Sequence, residues 1–120
     1  MSTPASPYNP TAPSRSDIDA TPGALLLEFG VGWCGHCQAA EPAILQALQA
    51  HSPLAHMRIE DGPGRALGRS FKVKLWPTLV LMLHGQELAR LVRPTQASQV
   101  QDLLRQVPAG CPKEKGFAAK

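Results

Sequence analysis

The chain has 120 residues, 43% of them hydrophobic and 5% aromatic, enough for one small domain of about 90 packed residues and too few for two. Its formal net charge of +3 is too small to argue for a polyanionic partner, and its three cysteines are too few for the disulfide lattice of a small secreted domain. No run approaches the roughly 18 apolar residues of a membrane-spanning helix, and the start lacks the basic-then-apolar pattern of a secretory signal; no membrane and a soluble cytoplasmic location are expected.

Residues 1–20 are rich in Pro, Ser and Thr, with Pro4, Pro7, Pro10 and Pro13 recurring every third residue, as along one edge of a polyproline II helix. A docking peptide is one reading. The preferred one is a disordered leader with too little apolar surface to fold, making at most a helical turn over residues 16–20 before Thr21-Pro22-Gly23 breaks the chain. The folded domain is then expected over residues 21–108.

Residues 24–29 read as a buried strand, because Leu25, Leu26, Leu27 and Phe29 form an apolar run interrupted only by Glu28. From about residue 34 to 50 the pattern is helical, with Ile44, Leu45 and Leu48 among alanines on one face. Pro42 inside it removes a hydrogen bond to the Gln38 carbonyl and predicts a kink. Residues 55–60 alternate and suggest a second strand, parallel to the first across the helical crossover. A turn at Asp61-Gly62-Pro63-Gly64 leads to a short helix over 65–71. Residues 78–83 suit a central strand, which His84-Gly85 turns into an antiparallel partner over 87–92. In the last helix Val100, Leu103, Leu104 and Val107 fall at i, i+3, i+4 and i+7, with Thr95 available as N-cap. Residues 109–120, with Lys113, Lys115 and Lys120, read as a flexible basic tail. Cys111 within it is either an incidental free thiol or a regulatory one. The order of elements implies an α/β fold, a mixed sheet with helices on both faces.

The stretch that carries chemistry is Trp33-Cys34-Gly35-His36-Cys37, at the junction of the first strand and the first long helix. Two cysteines with two residues between them at a helix start form a small, readily reducible disulfide whose thiols meet the positive end of the helix dipole. This is a redox couple. A metal-binding module is the competing use of such a pair, but no second C-x-x-C or spaced histidine pair completes four ligands, and no metal is expected. Arg65, Arg69, Lys72 and Lys74 form a basic cluster without interleaved aromatics, which reads as a solvated face and not a nucleic-acid platform.

Taken with Trp76-Pro77-Thr78 before the hairpin, this arrangement resembles the thioredoxin family over about residues 24–107, and Cys-Gly-His-Cys is the active-site form of protein disulfide isomerase domains. The resemblance implies a thioredoxin-like fold and a thiol-disulfide oxidoreductase, its redox-active disulfide serving in place of a bound cofactor. It implies that Cys34 is the exposed nucleophile and Cys37 the buried resolving thiol, acting on protein disulfides or dithiols through a mixed disulfide. His36 then favours the Cys34 thiolate by a hydrogen bond or by its charge. Its share of the about 90 mV between protein disulfide isomerase and thioredoxin makes this protein the weaker reductant. Glu28 matches the buried acid of the family, expected to be desolvated with a raised pKa and to relay the Cys37 proton through water; a solvent-facing carboxylate at a frayed strand end is the alternative. Pro77 matches the cis proline facing the cysteines and leaves the Trp76 backbone exposed for strand-like pairing with substrate. Trp33 and Trp76 form an apolar rim or belong to the core, and Gly35 lies between the thiols in the substrate-facing loop.

Three positions depart from the family pattern. Gly30 stands where thioredoxins commonly have tryptophan. Arg93-Pro94 stands where a glycine usually lines the groove, so a bulky cation narrows it and puts recognition by a thioredoxin reductase in question. Arg58 stands where a lysine often neighbours the acid, and holds Glu28 ionised if the two are close. A reductase of the thioredoxin type or glutathione is the implied electron donor and a monomer the expected state. A thioredoxin-fold adaptor with idle thiols is the alternative function.

Overall fold

All seven residues of strand β1 (Ala24–Gly30) are buried, so both faces of the sheet it belongs to must be covered. In the computed structural model residues 7–51 and 53–108 are described; Pro4 of the leader, Cys111 and the basic tail lie outside them. The elements run α1 (Arg15–Asp19), β1, α2 (Gly35–Gln49), β2 (Ala55–Glu60), α3 (Ala66–Ser70), β3 (Thr78–Leu83), β4 (Gln86–Val92) and α4 (Ala97–Leu104). The strands pair in the order β2-β1-β3-β4, with β1 parallel to β2 and antiparallel to β3.

The alternation of β1 sorts its side chains. Ala24 and Leu26 join Leu79 and Leu81 of β3 beneath Ala40, Ile44 and Ala47 of α2 and Val100, Leu103 and Leu104 of α4. Leu25, Leu27 and Phe29 point the other way, onto Ile18 of α1 and Leu67 and Phe71 of α3. Helices therefore cover both faces, as the element order implied. Helix α2 runs unbroken through Pro42. His84 and Gly85 both take positive φ (49° and 80°), the conformation a two-residue hairpin turn needs. Helix α4 starts one residue later than its expected N-cap: the Gln99 side chain accepts from the N–H groups of Thr95 and Gln96, and Gln96 takes the cap.

Much of the stretch read as a disordered leader is part of the domain. Tyr8 is buried, and Asn9 bridges the outer edge of β2, its N–H donating to the Arg58 carbonyl while its own carbonyl accepts from Glu60 N–H. Ser14 caps α1, Ile18 enters the core, and the Arg15 guanidinium lies 3.9 Å above the Phe71 ring. Composition undervalued this strap because a few anchors, Tyr8 and Ile18 above all, supply burial that the average hides.

Candidate active site at the start of helix α2

Cys34 is the N-cap of α2, and Cys37 lies within its first turn. Unpaired N–H groups of that turn converge on the first sulfur. Both thiols are free and buried, Cys34 keeping 9% of its surface and Cys37 1%. The nucleophile expected to be exposed thus keeps only a small part of its surface, with Trp33, 77% exposed, beside it in the chain. The two thiols differ in acidity. Burial pushes Cys34 up, yet it is outweighed by the Cys37 N–H and thiol, the His36 N–H and the Arg93 charge, leaving Cys34 more acidic than an ordinary thiol. Burial also dominates at Cys37 and drives it up to about 11, against hydrogen bonds from the Val31 N–H and Tyr8.

Beneath Cys37 lies a buried polar cluster. Glu28, 1% exposed, shares the β1 face that α2 covers. Its Oε2 accepts from the Tyr8 hydroxyl at 2.5 Å and Arg58 Nη2 at 3.1 Å, while its Oε1 meets His56 Nε2 at 2.9 Å. Burial favours the neutral acid, but these three partners outweigh it and hold the carboxyl below the usual carboxylate range. The raised pKa expected from burial alone is corrected accordingly, and the conditional role of Arg58 is met. The frayed strand end is excluded too, since Glu28 sits mid-strand in an unbroken ladder. Arg58 also reaches Glu41 of α2 at 3.6 Å and lies 4.0 Å above the Tyr8 ring.

Tyr8 is the residue that sequence reasoning missed. It forms one cluster with Val31, Cys34 and Cys37, against which Trp76 packs. Gly30 explains how it fits: a Cβ there would lie 2.6 Å from the Cys37 sulfur and 2.8 Å from the Tyr8 ring and hydroxyl. The side chain absent at position 30 leaves the space that the single tyrosine of the chain fills, a fit that only the fold brings about. Beside Tyr8, a cleft of about 390 Å³ opens between the strap and α2 and touches Cys37.

On the other flank the Trp76–Pro77 bond is cis. Trp76 meets Trp33 edge to face at 5.8 Å and donates its indole N–H to Asp61 at 2.8 Å. The Trp76 carbonyl, expected to be open for substrate, accepts from Arg93 Nε at 2.8 Å. Arg93 itself takes φ 52° with its N–H on the Pro77 carbonyl, the backbone form that glycine adopts most readily. His36 reaches Cys34 through its main-chain N–H, while its imidazole is exposed. Gly35 has open space where a Cβ would be. Arg65 of the basic cluster is engaged, bonding Glu60 at 2.6 Å and the Pro10 carbonyl at 3.0 Å. Among the described residues no group of three His, Cys, Asp or Glu side chains could hold a metal ion.

Residues 12–106 match the family model named Thioredoxin. The chain belongs to the thioredoxin family. It is similar to the reduced form of thioredoxin 2 from Pseudomonas aeruginosa, with 46% identity and a TM-score of 0.77 over 89% of this chain and 96% of that one. A thioredoxin-like protein of Synechocystis is 30% identical over 85 residues, 69% of this chain and 80% of its own. Human protein disulfide-isomerase A2 is 42% identical over 66 residues, 52% of this chain but only 13% of that longer protein. Membership brings thiol-disulfide oxidoreductase chemistry run on the protein's own cysteines, without an external cofactor. Thioredoxins act on protein disulfides and draw electrons from reductases.

Proposed function

We propose that this protein exchanges disulfides with protein substrates through a mixed disulfide at Cys34, which Cys37 then resolves. The observation that carries this reading is the placement of two clustered thiols, Cys34 at the N-cap of α2 and Cys37 buried to 1% in its first turn, which favours the thiolate at Cys34 and the neutral thiol at Cys37. The Cys34 thiolate attacks a substrate sulfur, and the electron pair of the broken S–S bond leaves on the other substrate sulfur. Cys37 then attacks Cys34, forming the Cys34–Cys37 disulfide and releasing the reduced substrate. In reverse, the same steps oxidise a dithiol. Trp33 and the Trp76-Pro77 segment border the place where a substrate strand would lie, and Arg93 must yield or share the Trp76 carbonyl for it to pair there.

A monomer in the reducing cytoplasm, re-reduced by a thioredoxin-reductase-like enzyme or by glutathione, is the setting this chemistry suits. The test is trapping. Cys37→Ser should accumulate a covalent adduct with a disulfide-bonded protein, seen as a reducible mass increase, and Cys34→Ser should form none. Adducts that persist in Cys34→Ser would move the nucleophile elsewhere and sink the reading.

A further inference from the structure

The buried face of Cys37 is closed by a hydroxyl from outside the C-x-x-C segment. Tyr8 Oη donates to Glu28 Oε2 at 2.5 Å and lies in one buried cluster with the Cys37 thiol, the two so close that a Cβ on Gly30 would meet the sulfur at 2.6 Å and the hydroxyl at 2.8 Å. Tyr8 is packed against both ends of a path open to a proton leaving Cys37. Its ring is fixed from three sides: the Arg58 guanidinium at 4.0 Å, the Gly30 backbone, which has no Cβ to displace it, and the neighbouring Asn9 bridge to β2. Burial and the adjoining Glu28 carboxylate hold the phenol neutral, so it can both accept and donate.

We propose that Tyr8 is a catalytic proton relay, taking the Cys37 proton and passing its own to Glu28 as Cys37 resolves the mixed disulfide. The proposal rests on the exchange reading above and adds to it the residue that carries the proton. The step balances. The Cys37 S–H proton moves to Tyr8 Oη as the Tyr8 O–H proton moves to Glu28 Oε2. The sulfur electron pair so freed makes the Cys34–Cys37 bond, and the bond from Cys34 to substrate breaks with its pair on the substrate sulfur, which solvent protonates. Substrate is reduced by two electrons, and the two cysteines are oxidised by two. Glu28 holds the proton briefly, and His56, 2.9 Å from Oε1 with its side chain 19% exposed, marks the edge where it returns to water.

The groups facing Tyr8 set the pH behaviour: Glu28 from β1, Arg58 from β2 and Cys37 from α2, with Glu41 beyond Arg58 and Glu60 across the cleft. An ionised Glu28 keeps the relay poised for acceptance. Once the pH is high enough to ionise Cys37 unaided, near 11, the relay has no proton left to move.

The test is stopped-flow reaction of the reduced full chain with dithiobis(nitrobenzoate), in a Cys111→Ser background so that only two thiols react. One coloured thiol leaves when Cys34 attacks and a second when Cys37 resolves. Tyr8→Phe should keep the first release and slow the second by about 100-fold or more at neutral pH, the scale of a lost general acid-base group. The deficit should shrink as pH rises toward 11. An unchanged second release, or one slowed by the same factor at every pH, overturns the relay. No first release from the wild type overturns the exchange reading itself, a separate failure. Should Tyr8→Phe not fold, the wild type decides: two protons in flight require a second release slower in heavy water, and a rate equal or faster there, as a free thiolate gives, overturns the relay.

Discussion

Cys34 and Cys37 sit three residues apart on one helix end, yet their flanks are opposites. The Cys34 flank offers peptide N–H groups, the cation of Arg93 and an aromatic pair open to solvent. The Cys37 flank is walled by Tyr8 of the strap and backed by a buried carboxylate with three partners. Proximity to a helix N-terminus therefore does not fix a thiol's acidity. What replaces water around each sulfur does, and the strap helps to bury Cys37 more deeply than Cys34.

The hardest way to break the contrast is to leave the buried carboxylate without its cation. Arg58→Leu removes the charge 3.1 Å from Glu28 Oε2 and should cost about 3–5 kcal/mol by denaturant unfolding, since an unpaired buried charge keeps its full desolvation penalty. The same cluster sets the acid limit. Glu28 is ionised to lower pH in the folded protein than in the unfolded chain, where its value is 4.5. Its stabilising contribution is complete above about that pH and is lost as pH falls through the depressed folded value. Melting temperature should drop below pH 4.5 in the wild type and drop less steeply in Glu28→Gln.

Gly30→Ala is the next largest test, because its methyl must displace the Cys37 sulfur and the Tyr8 ring together. Overpacking of this kind costs about 1–3 kcal/mol. Adding Tyr8→Ala frees one side of the collision, so the double variant should lose less than the two single losses combined. Strict additivity would show that the strap does not press on residue 30.

How much of this was legible follows from which interactions are local. Residues 55–60 and 78–83 matched their strands because alternating residue types in the first and a short continuous apolar run in the second are carried by neighbouring side chains. The two cysteines and Pro77 were found because their spacing along the chain is the site. The Glu28 environment was misjudged because three partners distant in sequence, at 8, 56 and 58, reversed what burial alone would do. Arg93 was recognised as a bulky departure, but its bond to the Trp76 carbonyl depends on a backbone turn that no local pattern announced. Tyr8 was lost to averaging, one anchor among prolines.

His36 offers a finer cut through the Cys34 flank. Its N–H favours the Cys34 thiolate, while its imidazole is exposed. His36→Pro deletes that donor within the first helical turn, where proline is tolerated. Losing one hydrogen bond worth about 1 kcal/mol should lower the reduction potential by about 20 mV in a glutathione titration. His36→Ala keeps the N–H and should move it much less; an equal fall in both would return the effect to the imidazole.

Arg93→Ala gives the smallest effect and the most direct reading of the open flank, because it does two things of opposite sign. Removing the charge makes Cys34 less readily ionised, so attack on a small disulfide at neutral pH should slow by no more than about fivefold, the range of a partly screened ion interaction. Removing Nε also frees the Trp76 carbonyl for a strand-forming substrate. A protein disulfide should then lose less rate than the small probe, or gain. Equal slowing of both would mean that Arg93 acts on the thiolate alone and that its bond to Trp76 does not restrict the groove.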